Sequence, residues 1–286
     1  MSILICIISA FFWAAFDLTR KITLQKLSSI SLLLIFTLTQ SFVFIIWMFF
    51  EDFSINLRPY LLPGIILIII GLLSALLFLK AIKQSDLSLT IPLLSLSPMF
   101  SSLFSFFFLN EQLSYIQYLG VFSIILGTLI LYSKKLTLNE FLKSFTIILK
   151  NNSAKLMIIV SIIWSLTPVL DKLCLKNSSI NIHGLIQSLG MVVLLIFLVK
   201  KNSKAKIWVT KKNWQIVFLT VSIGTAATIL QFYAILSNYV PIMESIKRSI
   251  GQLSSVFLGK FFFNEKVTSP KILGVIILSI GVYFIV

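Results

Sequence analysis

Apolar runs of roughly 20 residues recur along this chain with only short polar breaks, the length an α-helix needs to cross a bilayer core about 30 Å thick. The pattern predicts helices at 2–22, 30–50, 60–82, 87–109, 115–133, 155–175, 180–199, 214–236, 240–263 and 271–286. These runs are too long for the roughly 10-residue alternating strands of a membrane barrel. Helices are then the one spanning element available, because a helix satisfies its own backbone polar groups in lipid. The first run begins almost at Met1, lacks a small-residue cleavage site of the A-x-A type and is followed by nine more, so it reads as a first helix rather than a removable signal. Between the fifth and sixth runs, Leu136, Phe141, Phe145 and Ile148 interleave with Lys135, Glu140, Lys143 and Lys150. That segment reads as a short amphipathic linker lying in the interface.

The two sides of this seam repeat. Asn110-Glu111 recurs as Asn264-Glu265 at an offset of 154, which also carries Gly120 onto Gly274 and Gly127 onto Gly281. Gly71 and Ala81 map onto Gly224 and Ala234 at 153, and Trp13 maps onto Trp164 at 151. Five helices in each half is an odd number, so consecutive halves must enter the membrane in opposite senses. The expected fold is therefore an all-α integral membrane protein of ten transmembrane helices, arranged as two inverted five-helix repeats. The first repeat is expected at 1–133, the linker at 134–154 and the second repeat at 155–286.

Composition agrees with a bilayer home, at 58% hydrophobic and 12% charged residues with a mean hydropathy of +1.04. Charge adds the topology. Of 24 Lys and Arg, 19 fall in the loops joining helices 1-2, 3-4, 5-6, 7-8 and 9-10 or at their helix ends; only Arg58, Lys172 and Lys176 fall on the other side. Positive residues accumulate in the cytoplasm, which puts the linker inside and both termini outside. The basic residues punctuate apolar runs instead of covering a soluble face, which excludes nucleic acid as a partner. Cys6 and Cys174 both lie in apolar runs without companions, so neither a disulfide framework nor a metal site is expected, and no cofactor is implied.

Trp13 in the first helix and the segment Phe108-Leu109-Asn110-Glu111-Gln112-Leu113 with Gly120 and Gly127 recur as Trp164 and Phe262-Phe263-Asn264-Glu265-Lys266 with Gly274 and Gly281. This pattern resembles the EamA family of the drug/metabolite transporter superfamily, and the resemblance covers essentially the whole chain. It implies two five-helix halves and transport. It does not imply a substrate, since the family handles amino acids, sugars, nucleotide precursors, choline and drugs. Glu244, Lys247 and Arg248 have no charged counterpart in the first half, where 90–94 is uncharged.

Ionisable side chains at mid-bilayer are costly unless they pair or line water. Glu244 stands i, i+3 from Lys247 and i, i+4 from Arg248, so the three share one helical face with one positive charge in surplus. A cluster of this kind is a candidate site for a carboxylate or phosphate; the competing reading has the basic chains snorkelling to an interface. Trp13 and Asp17 share a face of helix one, and Trp164 with Thr167, Pro168 and Asp171 occupies a similar register in helix six. The two indoles are candidates to hold a cation or a flat organic group. Arg20 and Lys21 read instead as interface anchors, which is the competing reading for Asp171. Gln40, His183, Gln187, Gln231, Tyr233 and Gln252 need buried partners; Gln231 and Tyr233 are taken with the candidate site, and His183 as structural. Glu111 and Glu265 read as conformational caps. The spaced glycines of helices five and ten fit close packing, within one chain or between subunits of a homodimer. Pro92, Pro98, Pro168 and Pro241 break helix hydrogen bonding near a central cavity.

No G-x-S-x-G, H-E-x-x-H, phosphate-binding loop or Cys/His cluster appears, so catalysis and nucleotide-driven pumping are not expected. The reading is a secondary active transporter of the inner or plasma membrane, monomeric or dimeric, working by alternating access on a small polar solute such as an amino acid or other anionic or zwitterionic solute. Its candidate substrate residues are Trp13, Asp17, Trp164, Gln231, Tyr233, Glu244, Lys247 and Arg248. The alternatives are a cationic or aromatic solute, choline-like, S-adenosylmethionine-like or a drug, and a membrane-embedded transferase.

Overall fold

The structure, a computed structural model, describes residues 2–84, 91–131, 133, 152–201, 213–264 and 266–285. Among the described residues ten α-helices follow one another: α1 Ser2–Leu24, α2 Ser29–Trp47, α3 Leu57–Gln84, α4 Ser97–Leu109, α5 Tyr115–Leu131, α6 Asn152–Leu175, α7 Ile180–Lys201, α8 Trp214–Ser237, α9 Val240–Phe263 and α10 Ser269–Ile285. Six of them, α1, α2, α3, α6, α7 and α8, are long and apolar enough to cross a membrane by length and composition. α4, α5 and α10 are shorter apolar helices. α9 is long, but its apolar character is interrupted by Glu244, Lys247 and Arg248. Most of the amphipathic linker expected at 134–154 lies outside the described residues, as does Glu265.

Of the expected fourth helix at 87–109, residues 87–90 lie outside the described residues, and the described part is α-helical only from Ser97. A 3₁₀ turn spans Ile91–Leu96 and α4 begins only at Ser97, with Pro98 in its first turn. Proline has no N–H to give and crowds the carbonyl four residues back, so an α-helix cannot run smoothly through it. In the second half the proline, Pro241, already sits in the first turn of α9, which then runs unbroken for 24 residues. Both helices stop at an asparagine in the left-handed region, Asn110 with φ 57° and Asn264 with φ 53°. Asparagine tolerates that conformation better than any other residue bearing a bulky Cβ substituent.

The halves pack reciprocally. α1 lies against α8 as α6 lies against α3, while α2 pairs with α7, α4 with α9 and α5 with α10. The α5–α10 crossing is antiparallel and made by glycine. A Cβ on Gly120 would stand 2.6 Å from the Gly281 carbonyl oxygen, and one on Gly127 would stand 2.8 Å from that of Gly274. The glycine face is thus used within one chain, and the alternative use between subunits is not what the structure shows.

One end of the bundle is knitted by loops. Asn56 N–H donates to the Asn177 carbonyl at 2.8 Å, Ser179 N–H to that of Ser54 at 2.9 Å, and Asn238 Nδ2 to that of Ser2 at 3.1 Å. Gln117 Nε2 reaches the Ile285 carbonyl at 3.2 Å. The start of α1, the end of α10 and the loops after α2, α4, α6 and α8 therefore share an end. At the other end Thr23 bonds Thr220 at 2.9 Å and the Lys21 ammonium lies 4.5 Å from the Phe263 ring centre. Phe42, Phe107 and Phe218 point outward, each more than 60% exposed. An outer surface of this kind is matched to lipid rather than water.

Candidate functional site

The helices enclose a cavity of about 230 Å³ at the centre of the bundle. Its sides are apolar, with Leu32, Leu33, Phe36, Leu67, Leu79 and Met191 among them. Its polar wall is contributed by α1 (Trp13, Asp17, Arg20), α6 (Trp164, Thr167, Asp171), α7 (Gln187), α8 (Gln231) and α9 (Lys247, Arg248). Trp13, Asp17, Trp164, Gln231, Lys247 and Arg248 are thus brought together as the sequence pattern led us to expect. Tyr233 is not. It is 39% exposed, its ring 6.5 Å from that of Trp47 on the outside of the bundle. Residues two apart on a helix face opposite ways, so Gln231 and Tyr233 could not both have faced the cavity.

Glu244 sits behind this wall, 0% exposed. One carboxylate oxygen pairs with Lys247 Nζ at 2.5 Å, and the other with Arg248 Nη2 at 2.9 Å and Nε at 3.1 Å. Ser97 Oγ, at the start of α4, donates to the same oxygen at 2.8 Å and accepts from Arg248 Nε at 3.1 Å. Lys247 also donates to Gln231 Oε1 at 2.9 Å. The cations do not snorkel. They rest on the indole faces, Lys247 Nζ 5.5 Å from the Trp13 ring centre and the Arg248 guanidinium carbon 5.3 Å from that of Trp164.

Arg20 and Asp171 are buried cavity residues rather than interface anchors. Arg20 pairs with Asp17 and lies 3.9 Å over the Phe78 ring. Asp171 meets His183 Nε2 at 3.1 Å; His183 Nδ1 lies 2.9 Å from the Tyr60 hydroxyl, and Gln187 Nε2 donates to that hydroxyl at 3.3 Å. Burial of these groups comes from α3 and α7 packing against α6, which no local pattern reports. A signal was nonetheless present: at the offset of 151 that pairs the tryptophans, Arg20 falls on Asp171. Pro168 in α6 removes the donor for the Trp164 carbonyl, and the Thr167 hydroxyl takes it up at 3.4 Å.

Outside the cavity, Glu111 follows the Asn110 turn and reaches across the loop end of the bundle. It holds Lys172 Nζ at 2.6 Å and the backbone N–H of Val240, first residue of α9, at 2.8 Å. Lys172 donates also to the Asn238 carbonyl at 2.6 Å. Glu111 is therefore a cap on a neighbouring helix as well as an ion-pair partner.

No curated protein matches this sequence. A solved crystal structure, described only as that of a protein, shares the fold: TM-score 0.70 and 14% identity, covering 99% of this chain and 96% of the other. The profile of the EamA-like transporter family matches residues 1–133 and 152–286. Those two segments take in nearly all of the helical chain, and with them this protein belongs to the EamA-like transporter family, as an integral multi-pass membrane transporter of the drug/metabolite type.

Proposed function

We propose that this protein is a ten-span secondary transporter of the inner or plasma membrane, built as two inverted repeats at 1–133 and 155–286 around the central cavity. On this reading it moves a zwitterion, an α-amino acid with an apolar side chain. The observation that carries the reading is the sharing of one carboxylate, Glu244, by two cavity cations, Lys247 and Arg248. Asp17 and Arg20 cancel. The surplus cation then faces a cavity whose other charge is Asp171, hydrogen-bonded to His183. A carboxylate is suited to the Lys247 and Arg248 end and an ammonium to Asp171. The apolar sides suit the side chain, and an apolar cavity of roughly 150 Å³ is already enough for a benzene ring.

A cationic substrate is disfavoured on a specific ground. The aromatic faces that would receive it already carry Lys247 and Arg248. In proteoliposomes, L-phenylalanine and L-leucine should bind and move, whereas phenethylamine, which lacks the carboxylate, and 3-phenylpropionate, which lacks the ammonium, should compete at least tenfold more weakly. Competition by phenethylamine equal to that of L-phenylalanine would replace this reading with the cationic one.

The loop contacts at the end holding both termini, together with the 19 to 3 charge asymmetry, support the expected orientation. A reporter inserted after Lys143 should be cytoplasmic and one fused after Val286 external. A cytoplasmic reporter at the C-terminus would reverse the assignment.

A further inference from the structure

We propose that the indole N–H of Trp13 is a substrate-binding donor, left unpaired for a carboxylate by a single departure from the repeat. The inference rests on the central cavity being the substrate site. Trp13 and Trp164 hold equivalent places in the two halves and both line the cavity. Their N–H groups are used differently. Trp164 Nε1 donates to Ser74 Oγ on α3 at 2.9 Å, and the Ser74 hydroxyl in turn donates to the Gly71 carbonyl at 3.0 Å. Trp13 Nε1 is buried and has no hydrogen-bond partner among the described residues.

The repeat explains the difference. The offset of 153 that carries Gly71 onto Gly224 and Ala81 onto Ala234 carries Ser74 onto Ala227, a residue with no side-chain acceptor. α1 packs on α8 as α6 packs on α3, so the acceptor that serves one indole is missing beside the other. The same offset carries Phe78 onto Gln231. Phe78 packs at a tilt on Trp164 with 4.7 Å between ring centres and supports Arg20, whereas Gln231 turns its oxygen to Lys247 at 2.9 Å. The wall around Trp164 is thus closed on itself, whereas the wall around Trp13 holds an amide and an ammonium and leaves the indole N–H unpaired. Buried donors left unpaired are costly and uncommon, which makes this one a candidate for a ligand contact. Lys247 Nζ lies 5.5 Å from the Trp13 ring centre, so the ammonium and the indole share one part of the cavity.

The test is to give Trp13 the acceptor that Trp164 has. Ala227→Ser should lower affinity for L-phenylalanine about tenfold, equivalent to about 1.4 kcal/mol, by occupying the N–H. Trp13→Phe should do the same, and the double variant should be no worse than either single one, because one interaction is removed in each case. Ser74→Ala, the mirror change, should leave affinity within about threefold of wild type while confirming that a wall substitution is tolerated. Weak binding of phenethylamine should be unaffected by Trp13→Phe, since that probe has no carboxylate. Equilibrium binding of labelled L-phenylalanine to purified, monodisperse protein gives all of these values. Wild-type affinity in both Ala227→Ser and Trp13→Phe, with L-phenylalanine bound normally by the unmodified protein, overturns the role of the indole and leaves the cavity reading standing. Failure of the unmodified protein to bind any zwitterion overturns both. Equal losses in Ser74→Ala and Ala227→Ser would show that the walls act only through packing.

Discussion

Glu244→Gln should deprive cells of most of the folded protein. Glutamine keeps the shape of the side chain and can still accept from Ser97, but it leaves Lys247 and Arg248 side by side with no anion, in a region where both are buried. Removing one partner of a buried ion pair costs about 3–5 kcal/mol. Total stabilities of about 5–15 kcal/mol do not absorb that without a large rise in the unfolded fraction. The loss should come from charge, and a second variant shows whether it does. Glu244→Gln with Lys247→Met returns the cluster to a single surplus cation, so it should recover extractable, monodisperse protein although the substrate site is altered. Thermal unfolding in a mild detergent measures both. If Glu244→Gln melts with the wild-type protein, or if the double variant is no better than the single, Glu244 is not the counter-ion that holds the cluster.

That cluster was legible along the sequence, and its surroundings were not. Spacings of three and four residues put Glu244, Lys247 and Arg248 on one face, and the cost of charge in lipid turns that face inward. Hydropathy placed most helix ends within a few residues for a similar reason: in a bilayer the length of an apolar run is itself a structural quantity. The start of α4 was missed because an apolar run looks the same whether a 3₁₀ turn or an α-helix carries it, and only the prolines Pro92 and Pro98 mark the change. Ser97 joins the carboxylate of Glu244 because α4 crosses α9, a tertiary fact with no local trace. Arg20 and Asp171 sit near helix ends, where a basic or acidic residue is ordinarily an anchor; their burial depends on α3, α7 and α8 closing over them. Tyr233 is the opposite case, because the helical period already set it apart from Gln231.

The pair Lys172–Glu111 should act as a latch at the end of the bundle that holds both termini. Asn110 turns the chain after α4 so that Glu111 crosses to α6 through Lys172 and to α9 through the Val240 N–H. α6 and α9 cannot part at that end without breaking the pair or the helix cap. Lys172 follows Asp171 directly in sequence, so the latch closes the cavity on the side where Asp171 lines it. Alternating access requires such an opening, and any equilibrium in which the pair is intact in one state only is shifted by its loss. About 3–5 kcal/mol for a buried pair corresponds to roughly two to four orders of magnitude in that equilibrium. The readout is a cysteine at Thr167, which lines the cavity, in protein with Cys6 and Cys174 replaced by serine. A membrane-impermeant maleimide applied from the terminal side should label it at least tenfold faster in Glu111→Gln than in the parent. Lys172→Met should have a smaller effect, because Glu111 keeps the α9 N-terminus, where an anion is favoured. The exchange Glu111→Lys with Lys172→Glu should not restore slow labelling: it sets an ammonium against the Val240 N–H and a carboxylate against the Asn238 carbonyl. Restoration by the exchange would show that a simple charge pair suffices and the helix cap contributes nothing. Parental labelling rates in Glu111→Gln would show that this end is held shut by packing alone.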